Sequence, residues 1–134
     1  MEVLVRNSYF LQCLPCVATV PFRSQLTKLL LLDVIELGLP FTDPIADGPT
    51  IQKANTQALA NGVTIPMVLD MVRTARRKGL QAPVLFMGYY NPVLQYGEER
   101  MLQDTKAAGA NGFIMVDLPP EEAVRFRNLC TSNG

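Results

Sequence analysis

Short apolar runs alternate with longer segments of helical period from Asp33 to the end of the chain. The apolar runs at 34–37, 84–87 and 113–116 have the composition of buried strands. A predicted helix separates each run from the next and can cross back over the sheet. The pattern therefore predicts an α/β fold in which three strands pair in parallel.

The segments between and after these strands carry the signals that begin and end helices. Pro66 lies in the first turn of one segment, which ends in a basic cluster followed by Gly79. The predicted helices occupy 51–60, 65–78 and 98–108, and a fourth begins at Pro119. Residues 88–92 contain an Asn-Pro step and are predicted to form a loop.

The first 32 residues give conflicting local signals. Residues 16–22 have the composition of a strand, and 25–32 resemble the end of a helix that runs into Asp33 without a turn. Cys13 and Cys16 have the spacing of a redox or metal clip, but a zinc site needs a fourth ligand and only Cys130 remains. Ordinary reduced thiols are favoured, which is typical of a cytoplasmic protein. We expect 1–32 to be a divergent segment and 33–134 to form the domain.

Composition narrows the kinds of function that this chain can have. Its 134 residues, 49% of them hydrophobic, can bury one sizeable core. The net charge of zero gives no electrostatic footprint for nucleic acid or an anionic membrane, so a small molecule or a protein is the expected partner. The absence of histidine excludes Ser-His-Asp sites and nearly all zinc-enzyme sites. Acid–base chemistry must therefore use Asp, Glu, Lys or Tyr.

Glu36 is the acidic residue whose position most needs an explanation. It lies inside the apolar run 34–37, where a buried carboxylate is costly unless it is paired or used. A structural ion pair within the sheet is the alternative, but none of the three predicted strands contains a basic residue. The sequence therefore favours a functional role for Glu36.

Two more acidic residues, Asp43 and Asp47, follow the first predicted strand. Prolines and glycines exclude a continuous helix or strand there, so both lie on a shaped loop past the strand's carboxyl end. In parallel α/β folds, binding sites are built at that edge. Asp47 precedes Gly48, and the pattern leaves open a functional role or a structural one as an N-cap or Asx-turn for the next helix. The Asp43-Pro44 step is typical of a turn.

The other candidates lie at or near the ends of the later strands. Tyr89 and Tyr90 can donate hydrogen bonds, although aromatic packing is the favoured role. Met87 and Ile114 are core residues by default and would form a pocket wall around an apolar ligand. Asp117 is expected to be structural. Glycine-rich phosphate cradles are missing, so the residues alone predict a carboxylate-based site on the rim of an α/β sheet.

Several long motifs resemble the α component of tryptophan synthase. Residues 36–52 read ELGLPFTDPIADGPTIQ, and the motifs at 85–92, 109–114 and 116–122 follow in the family's order and spacing. The resemblance covers about three quarters of the chain. The later motifs are similar to those of the fungal form, in which the α and β components share one polypeptide.

The resemblance implies a TIM barrel that cleaves indole-3-glycerol phosphate into indole and glyceraldehyde 3-phosphate, a lyase step of tryptophan biosynthesis. It implies that Glu36 is the catalytic acid/base and that Asp47 binds the indole N–H. Met87, Ile114 and Tyr89 would contact the substrate. The loop of Asp43 and Pro44 would contact the β component, which holds pyridoxal phosphate; no cofactor is expected in this domain.

Two departures from the family limit these expectations. Residues 1–32 do not resemble its first βα unit, and a barrel typically needs about 250 residues. We therefore expect a partial barrel of three to four βα units, a fragment without the phosphate-binding loops and inactive alone. The alternative is a non-catalytic module that retains only the β-contact loop. A flavodoxin-like domain is disfavoured by the strand count and the missing phosphate cradle.

Overall fold

Four parallel strands form the sheet in the computed structural model, which describes residues 8–11 and 33–134. The strands are β1 (Ser8–Leu11), β2 (Val34–Gly38), β3 (Val84–Tyr89) and β4 (Gly112–Val116), in that spatial order. The three predicted strands and their parallel pairing are confirmed. β1 was not predicted, and its pairing with β2 supplies the long-range contact that a local pattern cannot reveal. The interpretations of Cys13, Cys16, 16–22 and 25–32 lie outside the described residues.

Five helices connect or follow the strands in the described part of the chain: α1 (Pro49–Ala60), α2 (Ile65–Arg77), α3 (Tyr90–Tyr96), α4 (Glu98–Ala108) and α5 (Pro120–Asn133). The four predicted helices are confirmed with small shifts at their ends. The loop prediction for 88–92 was wrong, because β3 extends to Tyr89 and α3 begins at Tyr90. Pro92 is tolerated in the first turn of α3, where backbone N–H groups have no intrahelical partner. None of the helices in the described ranges has the length and apolar character needed to cross a membrane.

One face of the sheet packs against the helices and forms the core. In β2, Ile35 and Leu37 are buried and alternate with half-buried residues, as the period of a strand requires. The register continues this face across the sheet from Leu37 to Phe86 and on to Phe113. Fully buried Phe86 joins Leu69 of α2 and Met101 of α4 in one cluster. Burial of each such side chain contributes about 1.5–3 kcal/mol.

The opposite face of the sheet carries Glu36. Glu36 pairs in register with Leu85, and Met87 pairs with Ile114. All four side chains are at least partly exposed, and Ile114 keeps 36% of its surface accessible. The predicted position of Glu36, away from the helix-covered face, is confirmed.

Arg76 connects the amino-terminal ends of β3 and β4 with the end of α2. Its Nη1 donates to the carbonyls of Leu80 and Ala82 at 2.7 and 2.8 Å, and its Nε donates to that of Gly109 at 2.8 Å. Its Nη2 donates to Asn111 Oδ1 at 2.8 Å. A Cβ at Gly109, where φ is +84°, would approach Arg76 Cγ to 3.1 Å, so glycine suits this position.

Replacement of Arg76 by Met is expected to lower the free energy of unfolding by about 2 kcal/mol, because it leaves several carbonyl groups without a donor. Urea unfolding of the chain measures the difference. Arg77→Met is the control, since Arg77 is exposed and donates to Thr74 at the helix surface. Equal unfolding midpoints for the two variants would show that the Arg76 network does not stabilise the fold.

Candidate active site

The predicted functional residues lie at or near the carboxyl edge of the sheet. Because the strands are parallel, Gly38, Tyr89 and Val116 all end at this edge. Residues 39–48 form the loop that leads from β2 to α1, and we call 39–47 the acidic loop. A hydrogen bond from the Leu39 N–H to the Met87 carbonyl, 2.8 Å long, continues the pairing of β2 into the start of this loop.

Glu36 is half-buried on the open face of the sheet, two residues before β2 ends. Its neighbours in register are Phe10 of β1 and Leu85 of β3. Among the described residues, none of the ion pairs involves Glu36. The structural ion pair considered as its alternative role is therefore not found in the described part of the chain.

Asp47 lies at the far end of the acidic loop and is separated from α1 by Gly48. The N-cap of α1 is Gly48, and no side chain caps this helix. The capping interpretation of Asp47 is therefore wrong. Asp47 instead helps to line a small cavity of about 20 Å³ together with Gly38, Met87 and Tyr89. A cavity of this size holds about one water molecule.

Tyr89 holds the acidic loop from the end of β3. Its hydroxyl accepts a hydrogen bond from the Ala46 N–H at 2.8 Å, and its ring lies 5.1 Å from that of Phe41. Burial raises the pKa of Tyr89; the hydrogen bond from Ala46 opposes this change, and the charge of Asp47 and a hydrogen bond to its side chain add to it. The predicted aromatic packing is found, and the predicted capacity to donate corresponds to the hydrogen bond with the Asp47 side chain, not to the bond that the hydroxyl accepts from Ala46.

Tyr90 points away from this edge into the helix layer. Its hydroxyl donates to Glu98, which also pairs with Arg125 of α5, and its ring packs edge-on against Phe126. Burial, followed by the hydrogen bond and charge of Glu98, raises the pKa of Tyr90 to about 12. The structure thus separates two adjacent tyrosines that the sequence could not distinguish.

Met87 and Ile114 form an apolar surface on the face of the sheet that carries Glu36. They are neighbours in register on the open face, and Met87 also lines the small cavity with Asp47. Both are partly exposed, unlike Ile35, Leu37 and Phe86 on the core face. The arrangement can contact a flat apolar group while Glu36 and Asp47 contact its polar atoms.

The outer side of the acidic loop faces solvent. Asp43 is exposed, Ile45 keeps 76% of its surface accessible, and Pro44 is half-buried. The Pro44 carbonyl accepts the Asp47 N–H at 3.1 Å. Asp43 and Ile45 border an open depression of about 320 Å³ that Asp117 also lines.

Three features of this edge were not recognised in the sequence. Asn55 and Gln52 of α1 both bind the acidic loop through their side-chain amides. Asn55 is buried on the face of α1 that also carries Ala58, and a polar residue at an otherwise apolar position was the available signal. Asp117 has φ of 58°, the one positive value among described residues other than glycine, in a conformation that aspartate tolerates.

Comparison with known proteins by sequence confirms the resemblance inferred from the motifs. The family model described as tryptophan synthase alpha chain matches residues 9–134. Tryptophan synthase of Saccharomyces cerevisiae is 64% identical over 103 residues, covering 77% of this chain and 15% of that protein. The tryptophan synthase alpha chain of Geobacter sulfurreducens is 53% identical over 102 residues, covering 76% of this chain and 38% of that protein.

Solved structures share the fold. Tryptophan synthase subunit alpha of Legionella pneumophila superposes with a TM-score of 0.85 at 43% identity, covering 95% of this chain and 49% of that chain. A chain of the Pyrococcus furiosus tryptophan synthase complex gives a TM-score of 0.82 at 35% identity, with 95% and 52% covered. The chain spans about half the length of these structures, and its sheet is part of a TIM barrel.

The family match begins at residue 9, whereas the division of the chain at residue 32 stays a prediction. Because the family model matches nearly the whole length, the chain belongs to the tryptophan synthase alpha chain family.

Proposed function

We propose that residues 33–134 carry the catalytic carboxylates of a lyase that cleaves indole-3-glycerol phosphate into indole and glyceraldehyde 3-phosphate. The observation that carries this proposal is the position of Glu36, half-buried on the open face and without an ion-pair partner among the described residues. Asp47 lies at the same edge, beside an apolar surface of Met87 and Ile114.

The retro-aldol step needs two different carboxyl roles. Cleavage of the bond between indole C3 and the glycerol side chain requires a proton at C3 and removal of the proton from the adjacent hydroxyl. Glu36 serves as the acid/base for these transfers. Asp47 accepts the indole N–H and stabilises the positive charge that develops on the ring, which requires a negatively charged group. The two environments, an apolar strand face and a polar loop, suit this division.

The substrate's indole ring lies on the surface of Met87 and Ile114 in this proposal. Both side chains are accessible from the open face. Tyr89 contributes the edge of its ring, because its hydroxyl accepts the Ala46 N–H and is also hydrogen-bonded to the Asp47 side chain. The phosphate group is bound by loops of the second half of the barrel, which in this proposal belong to the complete enzyme.

The β component is the proposed macromolecular partner, and Asp43 and Pro44 belong to the contact. The exposed side of the acidic loop, with Ile45 accessible over 76% of its surface, supports this assignment. Pyridoxal phosphate belongs to the β component, and we assign no cofactor to this domain. The complete enzyme is proposed to act in cytoplasmic tryptophan biosynthesis.

The 134-residue chain by itself is expected to release no measurable indole. Orientation supplies much of the rate of an enzyme, and a phosphorylated substrate cannot be oriented without its phosphate loops. Incubation of the chain with indole-3-glycerol phosphate and detection of indole tests this. Indole release near the rate of a complete relative would show that the second half of the barrel is dispensable, whereas no release fits either an incomplete lyase or the alternative, a non-catalytic contact module.

Glu36→Gln separates the lyase from the contact module when it is introduced into a complete barrel. In this hybrid barrel, residues 33–134 replace the corresponding segment of the yeast relative. The variant is expected to lower kcat by about 100-fold or more with little change in unfolding, because it removes the proton-transfer group and keeps its size. Glu121→Gln, on the exposed first turn of α5, is the control. An unchanged kcat with a lower melting temperature would make Glu36 structural.

Asp47→Asn in the hybrid barrel is expected to lower kcat more than it raises KM. The amide keeps an acceptor for the indole N–H, but it loses the charge that stabilises the cationic ring in the transition state. Steady-state indole release gives both constants, and Asp70→Asn on the exposed side of α2 is the matched control. If KM alone changed, Asp47 would bind the ground state and the transition state equally, and its proposed role in stabilising the cationic ring would be wrong.

A further inference from the structure

Asn55 is a buried polar residue in the middle of α1 whose side chain binds the acidic loop. Its Oδ1 accepts the Phe41 N–H at 3.0 Å, and its Nδ2 donates to the Phe41 carbonyl. One side-chain amide thus satisfies both backbone groups of one residue, as a neighbouring strand would. Only 9% of Asn55 is accessible, so water is poorly placed to substitute for these bonds.

The helix itself gives no reason for asparagine at this position. Asparagine is a weak helix former because its side chain competes for backbone hydrogen bonds. It also lies on the buried side of α1 with Ala58, where an amide without partners would be destabilising. The bonds to Phe41 are therefore the physical reason for this residue.

Besides the backbone bond of Leu39 to Met87, the side chains of three residues attach the acidic loop to its surroundings. Asn55 holds Phe41 at its beginning, and Tyr89 holds Ala46 near its end. Gln52 Nε2 donates to the carbonyl of Asp47 at 2.9 Å and to that of Pro44 at 3.3 Å. Phe41 also packs against Tyr89, so release of Phe41 weakens a second attachment.

We propose that Asn55 is a positioning residue for Asp47. It acts through the backbone of Phe41 to fix the acidic loop, and so the direction in which the Asp47 carboxylate meets the substrate. Asn55 does not touch the substrate in this arrangement. The inference rests on the proposed lyase function, since it assigns Asn55 to the geometry of that same site.

Hydrogen exchange of the full chain tests the structural half of this inference. Asn55→Leu keeps the approximate volume and removes both hydrogen bonds. Exchange in peptides from 39–47 is expected to become about tenfold faster, whereas peptides from β3 and α2 keep their rates. Gln57→Leu, at an exposed position of the same helix, is the control. Unchanged exchange in 39–47 would overturn the inference.

Kinetics of the hybrid barrel test the functional half. Asn55→Leu is expected to lower kcat about 10- to 100-fold with KM within about twofold, because misplacement of a catalytic group is felt in the transition state. Arg76→Met reduces stability at the opposite end of the sheet and is expected to keep kcat. If Asn55→Leu and Arg76→Met are equally stable and lose kcat equally, the loss reflects general destabilisation. That result would overturn the inference.

Two further outcomes separate this inference from the proposed function. A parent hybrid barrel that folds and releases no indole would contradict the lyase function itself. An active parent together with a folded, fully active Asn55→Leu variant would contradict only the role of Asn55. Should Asn55→Leu not fold, Asn55→Asp keeps the acceptor for the Phe41 N–H and loses the donor. Its kcat is expected to lie below that of the parent, and an equal value would overturn the inference.

Discussion

The parallel register of β2, β3 and β4 is the constraint on which the rest of the structure depends. Because Leu37 pairs with Phe86, and Phe86 with Phe113, these side chains lie on one face of the sheet, which packs against the helices. Side chains alternate along a strand, so the same pairing places Glu36, Met87 and Ile114 on the other face. A shift of β2 by one residue would bury Glu36 among the helices and expose Ile35 and Leu37. The core and the candidate site are therefore specified by one set of hydrogen bonds.

The acidic loop adds what the sheet cannot supply. Asp47 lies nine residues past the end of β2, too far for the strand to determine its position. Tyr89 of β3 and Asn55 and Gln52 of α1 fix the loop through backbone groups. The Asp47 backbone makes the hydrogen bonds to Pro44 and Gln52, and the Asp47 side chain is hydrogen-bonded to Tyr89.

The sequence predicted those features that depend on local pattern. Strands β2 to β4 are apolar runs bounded by prolines, glycines or acids, and the single carboxylate within such a run identified Glu36. The sequence could not show which of Tyr89 and Tyr90 faces the site, because a strand changes into a helix between them. Nor could it reveal the bond between Ala46 and Tyr89, which are 43 residues apart. β1 was missed for the same reason, since its strand conformation depends on pairing with β2.

A crystal structure of the hybrid barrel with a non-cleavable indole alkyl phosphate tests most directly whether this edge of the sheet is the catalytic site. The ring N–H is expected within hydrogen-bond distance of the Asp47 carboxylate, with the ring against Met87 and Ile114. The Glu36 carboxylate is expected to face C3 of the indole. An indole ring bound elsewhere, with Asp47 directed away from it and Glu36 out of reach of C3, would contradict the assignment of both carboxylates.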